Sequence, residues 1–121
     1  MSKSILVVDD DDINLKLADF ILAQQGYEVH KAYSGEEGID ILNSEDIDLV
    51  LLDIEMPRMS GLETLERIRA DYRFENTPVI FLTAITDTDN VVEASKLGAL
   101  GYIKKPFMPQ ELLDRVRDIF S

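Results

Sequence analysis

The sequence predicts an α/β protein in which one parallel β-sheet is covered by helices on both faces. Four short apolar runs are continuous rather than alternating, which is typical of strands buried on both sides. These runs cover residues 4–8, 48–52, 78–82 and 100–103. Stretches with the apolar spacing of amphipathic helices separate them. Strands and helices that alternate in this way along a chain form a parallel sheet enclosed by helices.

The first helix is predicted over residues 12–25. Its end is indicated by Gly26, because glycine readily adopts the backbone conformation that terminates a helix. Helical spacing places four large apolar side chains on one face, namely Ile13, Leu17, Phe20 and Ile21.

The other four helices also carry recognisable start and stop signals. Gly98 ends the fourth helix, and Pro109 stands at the first position of the fifth, where the missing N–H is tolerated. The fifth helix is expected to turn Leu112, Val116, Ile119 and Phe120 inward. Residue pairs with capping-box spacing begin the second, third and fourth helices: Ser34 with Glu37, Ser60 with Glu63, and Thr86 with Asp89.

A more polar run over residues 28–32 completes five βα units and suits an edge strand. Right-handed crossovers leave few topologies for five such units. The flavodoxin-like (βα)5 order 2-1-3-4-5 is favoured because it places the polar strand at an edge and the apolar first and third strands centrally. Ligands of such sheets bind at the carboxyl ends of the strands where the order reverses. We therefore expect a site just after Val8 and just after Leu52.

Composition limits the function classes. The 121 residues are expected to form one domain over residues 1–121, with no effector domain in this chain, and the absence of cysteine excludes disulfides and thiol catalysis. No apolar run is long enough to span a bilayer, so a cytoplasmic domain is expected. Twelve basic against twenty-four acidic residues give a net charge of −12, which opposes contact with nucleic acid or anionic membranes.

Polar side chains follow four of the predicted strands. Asp9 to Asp12 follow the first strand, Asp53 the third, Thr83 ends the fourth and Lys105 follows the fifth. An aspartate can simply cap a helix, but Asp53 lies too far before the third helix for that role alone. Carboxylates that converge from separate strands repel one another unless a cation lies among them. With oxygen ligands only, that cation is predicted to be Mg²⁺ rather than Ca²⁺.

This set of groups suggests phosphoryl transfer. A carboxylate next to Mg²⁺ can accept a phosphoryl group when nearby charges and donors neutralise the transferred oxygens. Lys105 would supply the positive charge, and the hydroxyl of Thr83 would donate a hydrogen bond.

Five landmarks, in order along nearly the whole chain, resemble a response-regulator receiver domain of two-component signalling, of the single-domain chemotaxis type. The resemblance implies that Asp53 accepts a phosphoryl group from the phosphohistidine of a sensor histidine kinase or a histidine phosphotransfer protein. The landmarks are Val7-Val8-Asp9-Asp10, Leu52-Asp53, Met56-Pro57 with Gly61, Thr83-Ala84, and Gly101-Tyr102 with Lys105-Pro106-Phe107.

The resemblance also assigns the metal ligands. Asp10, Asp53 and the backbone carbonyl of Glu55 would bind Mg²⁺ directly, with Mn²⁺ as a substitute. Asp9 would bind it through a water molecule. Lys105 would pair with the phosphoryl group, and its bond to Pro106 would be cis.

Switching is implied for two residues. Thr83 would move toward the phosphoryl oxygen, and Tyr102 would turn into the space left behind. The surface of helix four, strand five and helix five would change and control the binding of a downstream protein. We expect Leu100 and Phe107 to form an apolar patch on that surface, and Ile85 to shield the phosphoryl group from water.

Three alternatives stay open. A haloacid-dehalogenase-like phosphatase would need a second aspartate two residues after the nucleophile, where Glu55 stands. A flavodoxin would need a loop that binds the FMN phosphate, which four consecutive aspartates would repel. A receiver that acts without phosphorylation is disfavoured by the complete set of site residues. A receiver takes up one phosphoryl group and is not a multi-turnover enzyme.

Overall fold

The computed structural model describes residues 2–84, 92 and 95–121. Five strands alternate with helices. The strands are β1 (Ser4–Val8), β2 (Glu28–Ala32), β3 (Leu49–Asp53), β4 (Val79–Thr83) and β5 (Tyr102–Lys104). The helices are α1 (Asp12–Ala23), α2 (Gly35–Ser44), α3 (Gly61–Ala70), a 3₁₀ turn (Tyr72–Phe74) and the C-terminal helix (Pro109–Phe120).

The strands form one parallel sheet in the order β2-β1-β3-β4-β5, which confirms the predicted flavodoxin-like topology. In the observed register Val8 lies beside Leu52 and Asp53 lies beside Leu82. The carboxyl ends of β1, β3 and β4 therefore meet at one edge of the sheet, where the sequence predicts a site.

Each face of the sheet carries one hydrophobic cluster. Ile5 and Val7 point to the face covered by α1 and the C-terminal helix. Leu6 and Val8 point to the opposite face, which is covered by α2 and α3. All five residues of β1 are buried, and so are all five of β3 and of β4. Burial on both sides explains why these strands read as continuous apolar runs.

The helix starts follow the sequence signals. The Oγ atoms of Ser34 and Ser60 accept hydrogen bonds from the N–H groups of Glu37 and Glu63, at 3.1 and 3.2 Å. Pro109 is the first residue of the C-terminal helix, as predicted. Within the described ranges, four α-helices have defined bounds. The Thr86–Asp89 capping pair and Ile85 lie outside the described residues, and Val92, Ser95 and Lys96 of the predicted fourth helix are helical.

The face predicted to be apolar on α1 is not the buried one. Ile13 is 74% exposed and Phe20 is 63% exposed, whereas Ile21 is buried as the pattern suggests. The residues of α1 that pack on the sheet are Leu15, Ala18, Ile21 and Leu22. Both sets satisfy helical spacing, and only the position of the helix on the sheet decides between them.

The prediction of an apolar patch around β5 is wrong for one of its two members. Phe107 is buried in the cluster that α1 and the C-terminal helix cover, whereas Leu100 is 55% exposed. Burial of a phenylalanine ring removes a large apolar area from water, which favours the inward position.

The bond between Lys105 and Pro106 is cis, as the sequence led us to expect. Within the described part of the chain, no helix is long and apolar enough to cross a membrane.

Candidate functional site

Four strand ends position the predicted site residues. Asp53 and Thr83 are the last residues of β3 and β4, whereas Asp9 and Lys105 directly follow β1 and β5. Backbone hydrogen bonds extend the sheet into the site: the N–H of Asp9 donates to the carbonyl of Ala32 at 3.0 Å, and that of Lys105 donates to the carbonyl of Thr83 at 2.8 Å. The backbone of the site residues is therefore held by the hydrogen bonds of the sheet.

A buried ion cluster occupies this edge of the sheet. Asp9 is fully buried and Asp53 is 4% exposed. The Nζ atom of Lys105 lies 2.7 Å from Oδ2 of Asp9 and 3.1 Å from Oδ1 of Asp53. One ammonium group thus contacts two carboxylates that come from different strands.

The two carboxylates are only partly satisfied by the protein. Oδ1 of Asp9 accepts a hydrogen bond from the N–H of Asp11 at 2.9 Å, and Oδ1 of Asp53 accepts one from the N–H of Glu55 at 3.3 Å. Oδ2 of Asp9 is buried and accepts no well-aligned hydrogen bond from the described residues; its close neighbour is the ammonium of Lys105. A carboxylate oxygen has more than one lone pair, so this atom can accept a further partner besides the ammonium.

The electrostatics reflect an excess of negative charge. Burial, followed by the neighbouring charge of Asp9, raises the pKa of Asp53 to about 7, although Lys105 and the N–H of Glu55 oppose the shift. Burial disfavours the charged form of Lys105 as well, but its contact with Asp9 and the charge of Asp53 outweigh that effect and raise its pKa. Lys105 therefore stays positively charged without fully compensating its two partners.

The carboxylates fit a divalent cation. Asp9, Asp10 and Asp53 each bring one oxygen into a group whose members all lie within 4.8 Å of one another. Asp10 is exposed and the other two are buried, so the site opens to solvent on one side. Carboxylate oxygens as ligands and an open side for water molecules are the properties that Mg²⁺ or Mn²⁺ requires.

The remaining predicted residues lie on the strands or in the loops that follow them. Thr83 at the end of β4 is 1% exposed, and Tyr102 at the start of β5 is 37% exposed. The N–H of Glu55 points to Asp53, which places the Glu55 peptide at the site. Asp11 is the N-cap of α1 and accepts a hydrogen bond from the N–H of Ile13.

The loop after Asp53 packs closely on the site. A Cβ atom added to Gly61 would lie 2.2 Å from the carbonyl oxygen of Asp53, so only glycine allows α3 to begin there. The N–H of Gly61 also donates to the carbonyl of Ile54 at 2.8 Å. Arg58 in the same loop has φ +68°, an uncommon value for a residue other than glycine.

Two contacts near the site were not predicted. The first is the ion pair between Lys105 and Asp9, because each residue was assigned to a different partner. The second is a hydrogen bond from Nη2 of Arg115 to the carbonyl of Tyr102 at 2.8 Å. A main-chain acceptor leaves no mark in the sequence, so periodicity and spacing give no signal for this contact.

Known proteins resemble this chain in sequence and in structure. It matches the response regulator receiver domain family over residues 5–117. Over all 121 residues it is 39% identical to the transcriptional regulatory protein CrdR of Helicobacter pylori and covers 56% of that protein. The chain thus spans about half the length of this curated relative.

Solved structures have the same fold over nearly the full length. The chemotaxis protein CheY4 of Vibrio cholerae has a TM-score of 0.94 at 29% identity, with 98% of this chain and 99% of that chain covered. A CheY-like response regulator receiver domain protein of Methanospirillum hungatei has a TM-score of 0.91 at 35% identity, with 98% and 93% covered. The fold and the strand-end site define a two-component signalling module. The chain belongs to the response regulator receiver domain family.

Family membership decides between the open alternatives of fold and class. A receiver domain is a phosphoacceptor signalling domain rather than a classical enzyme, so the phosphatase and flavodoxin interpretations are set aside. Family membership does not distinguish a phosphorylated receiver from one that acts without phosphorylation, because both have this fold.

Proposed function

We propose that this receiver domain is a cytoplasmic switch that takes one phosphoryl group on Asp53 in a Mg²⁺-dependent reaction. The observation that carries the proposal is the cluster itself. Asp53 is buried at a strand end, its Oδ1 atom lies 3.1 Å from Nζ of Lys105, and it shares the site with two further carboxylates. An arrangement that only stabilised the fold would not bring three carboxylates together beside one ammonium group that contacts only two of them.

In the proposed reaction the phosphoryl group moves from a phosphohistidine to Asp53. A carboxylate oxygen of Asp53 attacks phosphorus, the nitrogen–phosphorus bond of a phosphohistidine breaks, and the imidazole leaves with the bonding electron pair. The new bond is an acyl phosphate on Asp53. The donor is a sensor histidine kinase or a histidine phosphotransfer protein, which is the donor class of two-component systems.

The protein contributes position and charge. Asp10, Asp53 and the carbonyl of Glu55 would hold Mg²⁺, and Asp9 would support it through a water molecule. When bound, the metal ion neutralises negative charge on the phosphoryl oxygens. The ammonium of Lys105 moves from its carboxylate partners to a phosphoryl oxygen. Thr83 donates its hydroxyl hydrogen to another phosphoryl oxygen.

The position of Tyr102 suggests how phosphorylation would change the binding of a downstream protein. Tyr102 is 37% exposed in the structure, and Leu100, two residues earlier, is 55% exposed. A movement of Thr83 toward the phosphoryl group would open space for the ring of Tyr102. The surface formed by the fourth predicted helix, β5 and the C-terminal helix would then bind a downstream protein. Neither nucleic acid nor a membrane is a partner of this acidic chain.

The exposed face of α1 supports a protein as the phosphoryl donor. Helix α1 begins at Asp12, directly after the acidic loop of the site. Ile13 and Phe20 on this helix are 74% and 63% exposed. Large apolar side chains next to an active group are typical of a protein-binding surface. A donor that covers this face would present its phosphohistidine at the open side of the site.

Intact mass tests the chemistry. Wild-type protein incubated with acetyl phosphate and Mg²⁺ should gain one phosphoryl group, and none when a chelator removes the metal. Asp53→Asn should abolish the gain. Asp71→Asn serves as the matched control because Asp71 follows the C-terminal end of α3 and pairs with Arg73 of the 3₁₀ turn, whereas the opposite end of α3 contacts the site. Uptake by the Asp53 variant would show that a different residue is the acceptor, and no uptake by wild type would favour a receiver that binds without phosphorylation.

A further inference from the structure

Two arginines hold residues 97–102, here named the hinge segment, from opposite ends. Arg69 of α3 donates from Nε to the carbonyl of Leu97 at 2.7 Å. Its Nη2 lies 3.5 Å from the carbonyl oxygen of Gly98. At the other end, Arg115 of the C-terminal helix donates from Nη2 to the carbonyl of Tyr102 at 2.8 Å. Both guanidinium groups therefore bind main-chain carbonyls of one short segment.

The hinge segment has a bent backbone between these contacts. Gly98 has φ +81° and Gly101 has φ +151°, values that side chains rarely allow. A Cβ atom on Gly101 would lie 3.4 Å from Nη2 of Arg115, so the guanidinium rests against the bend. The segment also bonds to β4: the N–H of Leu100 donates to the carbonyl of Val79 at 2.9 Å.

This segment leads directly into the site. Tyr102 is the first residue of β5, which has three residues and pairs with β4 on one side. Lys105 follows the strand and contacts Asp9 and Asp53. The short strand is thus held by Arg115 at its start and by the two carboxylates just past its end. A change in the partners of Lys105 acts on a strand whose other end is fixed by Arg115.

We propose that Arg115 is a positioning residue that holds the peptide of Tyr102 in the resting state and so sets how readily its ring turns inward. This inference rests on the proposed function. The rotamers that a side chain can adopt depend on its backbone angles, so a restraint on the Tyr102 carbonyl acts on the ring. A hydrogen bond from a charged donor is stronger than a neutral one. Its loss frees the Tyr102 peptide while leaving Lys105 and Asp53 untouched.

Fluorine NMR of protein labelled with fluorotyrosine tests this role in the unphosphorylated chain. The chain has four tyrosines, and Tyr102→Phe identifies the resonance of interest. Arg115→Ala should change the ratio of inward to outward ring populations by about two- to tenfold, the range expected for one lost hydrogen bond. The Tyr102 resonance then moves and the other three do not. Arg115→Lys, which keeps a donor, should restore at least half of the wild-type position.

The matched control lies two residues further along the same helix. Arg117 is exposed and pairs with Asp114 within the helix. Arg117→Ala should leave the Tyr102 resonance unchanged. The inference is overturned if Arg115→Ala does not move this resonance, if Arg117→Ala moves it equally, or if Arg115→Lys behaves as Arg115→Ala.

Intact mass of the same samples separates this inference from the proposed function. Arg115→Ala should take up one phosphoryl group from acetyl phosphate, within about twofold of the wild-type rate, because Arg115 does not contact Asp53. Failure of wild type to take up phosphate would reject the proposed function. The fluorine resonance of Tyr102 in the unphosphorylated protein would still show whether Arg115 holds that residue.

Discussion

Asp53 and Asp71 are the same residue type, and each contacts one basic side chain, yet their surroundings shift their pKa values in opposite directions. Burial and the charge of Asp9 raise the pKa of Asp53 to about 7. Hydrogen bonds from the side chain and the N–H of Arg73 lower the pKa of Asp71. The side chain of Asp53 is 5% exposed and that of Asp71 is 32% exposed.

The difference shows what distinguishes a reactive ion cluster from an ordinary surface pair. At Asp71, solvent and one arginine satisfy a single carboxylate. The pair stabilises the local turn, because Asp71 also accepts a hydrogen bond from the N–H of Arg73 at 3.0 Å. At Asp53, two buried carboxylates share one ammonium, and the cluster is stable only because the surrounding sheet holds it. The charge that remains uncompensated there is available to a metal ion.

The largest expected effect comes from removing the basic partner in each region. Lys105→Met leaves Asp9 and Asp53 buried without a cation, which should lower the free energy of unfolding by about 3–5 kcal/mol at pH 8 in a chelator. Arg73→Met removes an exposed partner and should change stability little. Urea denaturation of both variants measures the contrast. Equal losses would mean that burial does not distinguish the two pairs.

The pH dependence of stability should differ in sign between the two aspartates. The folded chain holds the Asp53 proton up to about pH 7, whereas the unfolded chain releases it near pH 3.8, so Asp53 lowers stability as pH rises between these values. In metal-free buffer, Asp53→Asn should therefore gain stability relative to wild type, by about 3 kcal/mol more at pH 8 than at pH 4.

Asp71→Asn should behave in the opposite way. The lowered pKa of Asp71 contributes stability above pH 3.8 that is lost as pH falls through the folded value. The variant should therefore lose stability near neutral pH and match wild type in acid. Thermal unfolding across pH 3–8 follows both variants, and parallel curves would contradict the comparison.

Metal binding should further distinguish the carboxylates of the buried cluster from those paired at the surface. At a Mg²⁺ concentration 100 times the dissociation constant, binding to the folded state adds about 2.7 kcal/mol to the free energy of unfolding. Asp10→Asn should remove most of this gain, because Asp10 is the exposed carboxylate of the cluster and the one that solvent and a metal ion can reach. Asp12→Asn is the control, since the Asp12 carboxylate is bound by Lys16 and Tyr33. Equal losses in both variants would indicate general charge attraction rather than ligation.

The sequence determined the topology and the composition of the site more closely than it determined side-chain directions. Strand order and the position of the site follow from apolar runs and from rules of parallel sheets, which depend on local pattern alone. The buried face of α1 does not follow from local pattern, since Leu17 and Leu15 both fit helical spacing and only packing on the sheet selects one. Phe107 and the contact between Arg115 and the Tyr102 carbonyl likewise depend on parts of the chain that are distant in sequence.

The placement of the cluster also has a consequence for biosynthesis. Asp9, Asp53 and Lys105 follow or end the first, third and fifth strands of one sheet. Contacts between residues so distant along the chain form late, because closing long loops costs entropy before any bond repays it. An incompletely folded chain cannot bring Asp53, the neighbouring carboxylates and Lys105 together. Under the proposed function, only the finished fold could receive a phosphoryl group, and the reaction would then report that folding is complete.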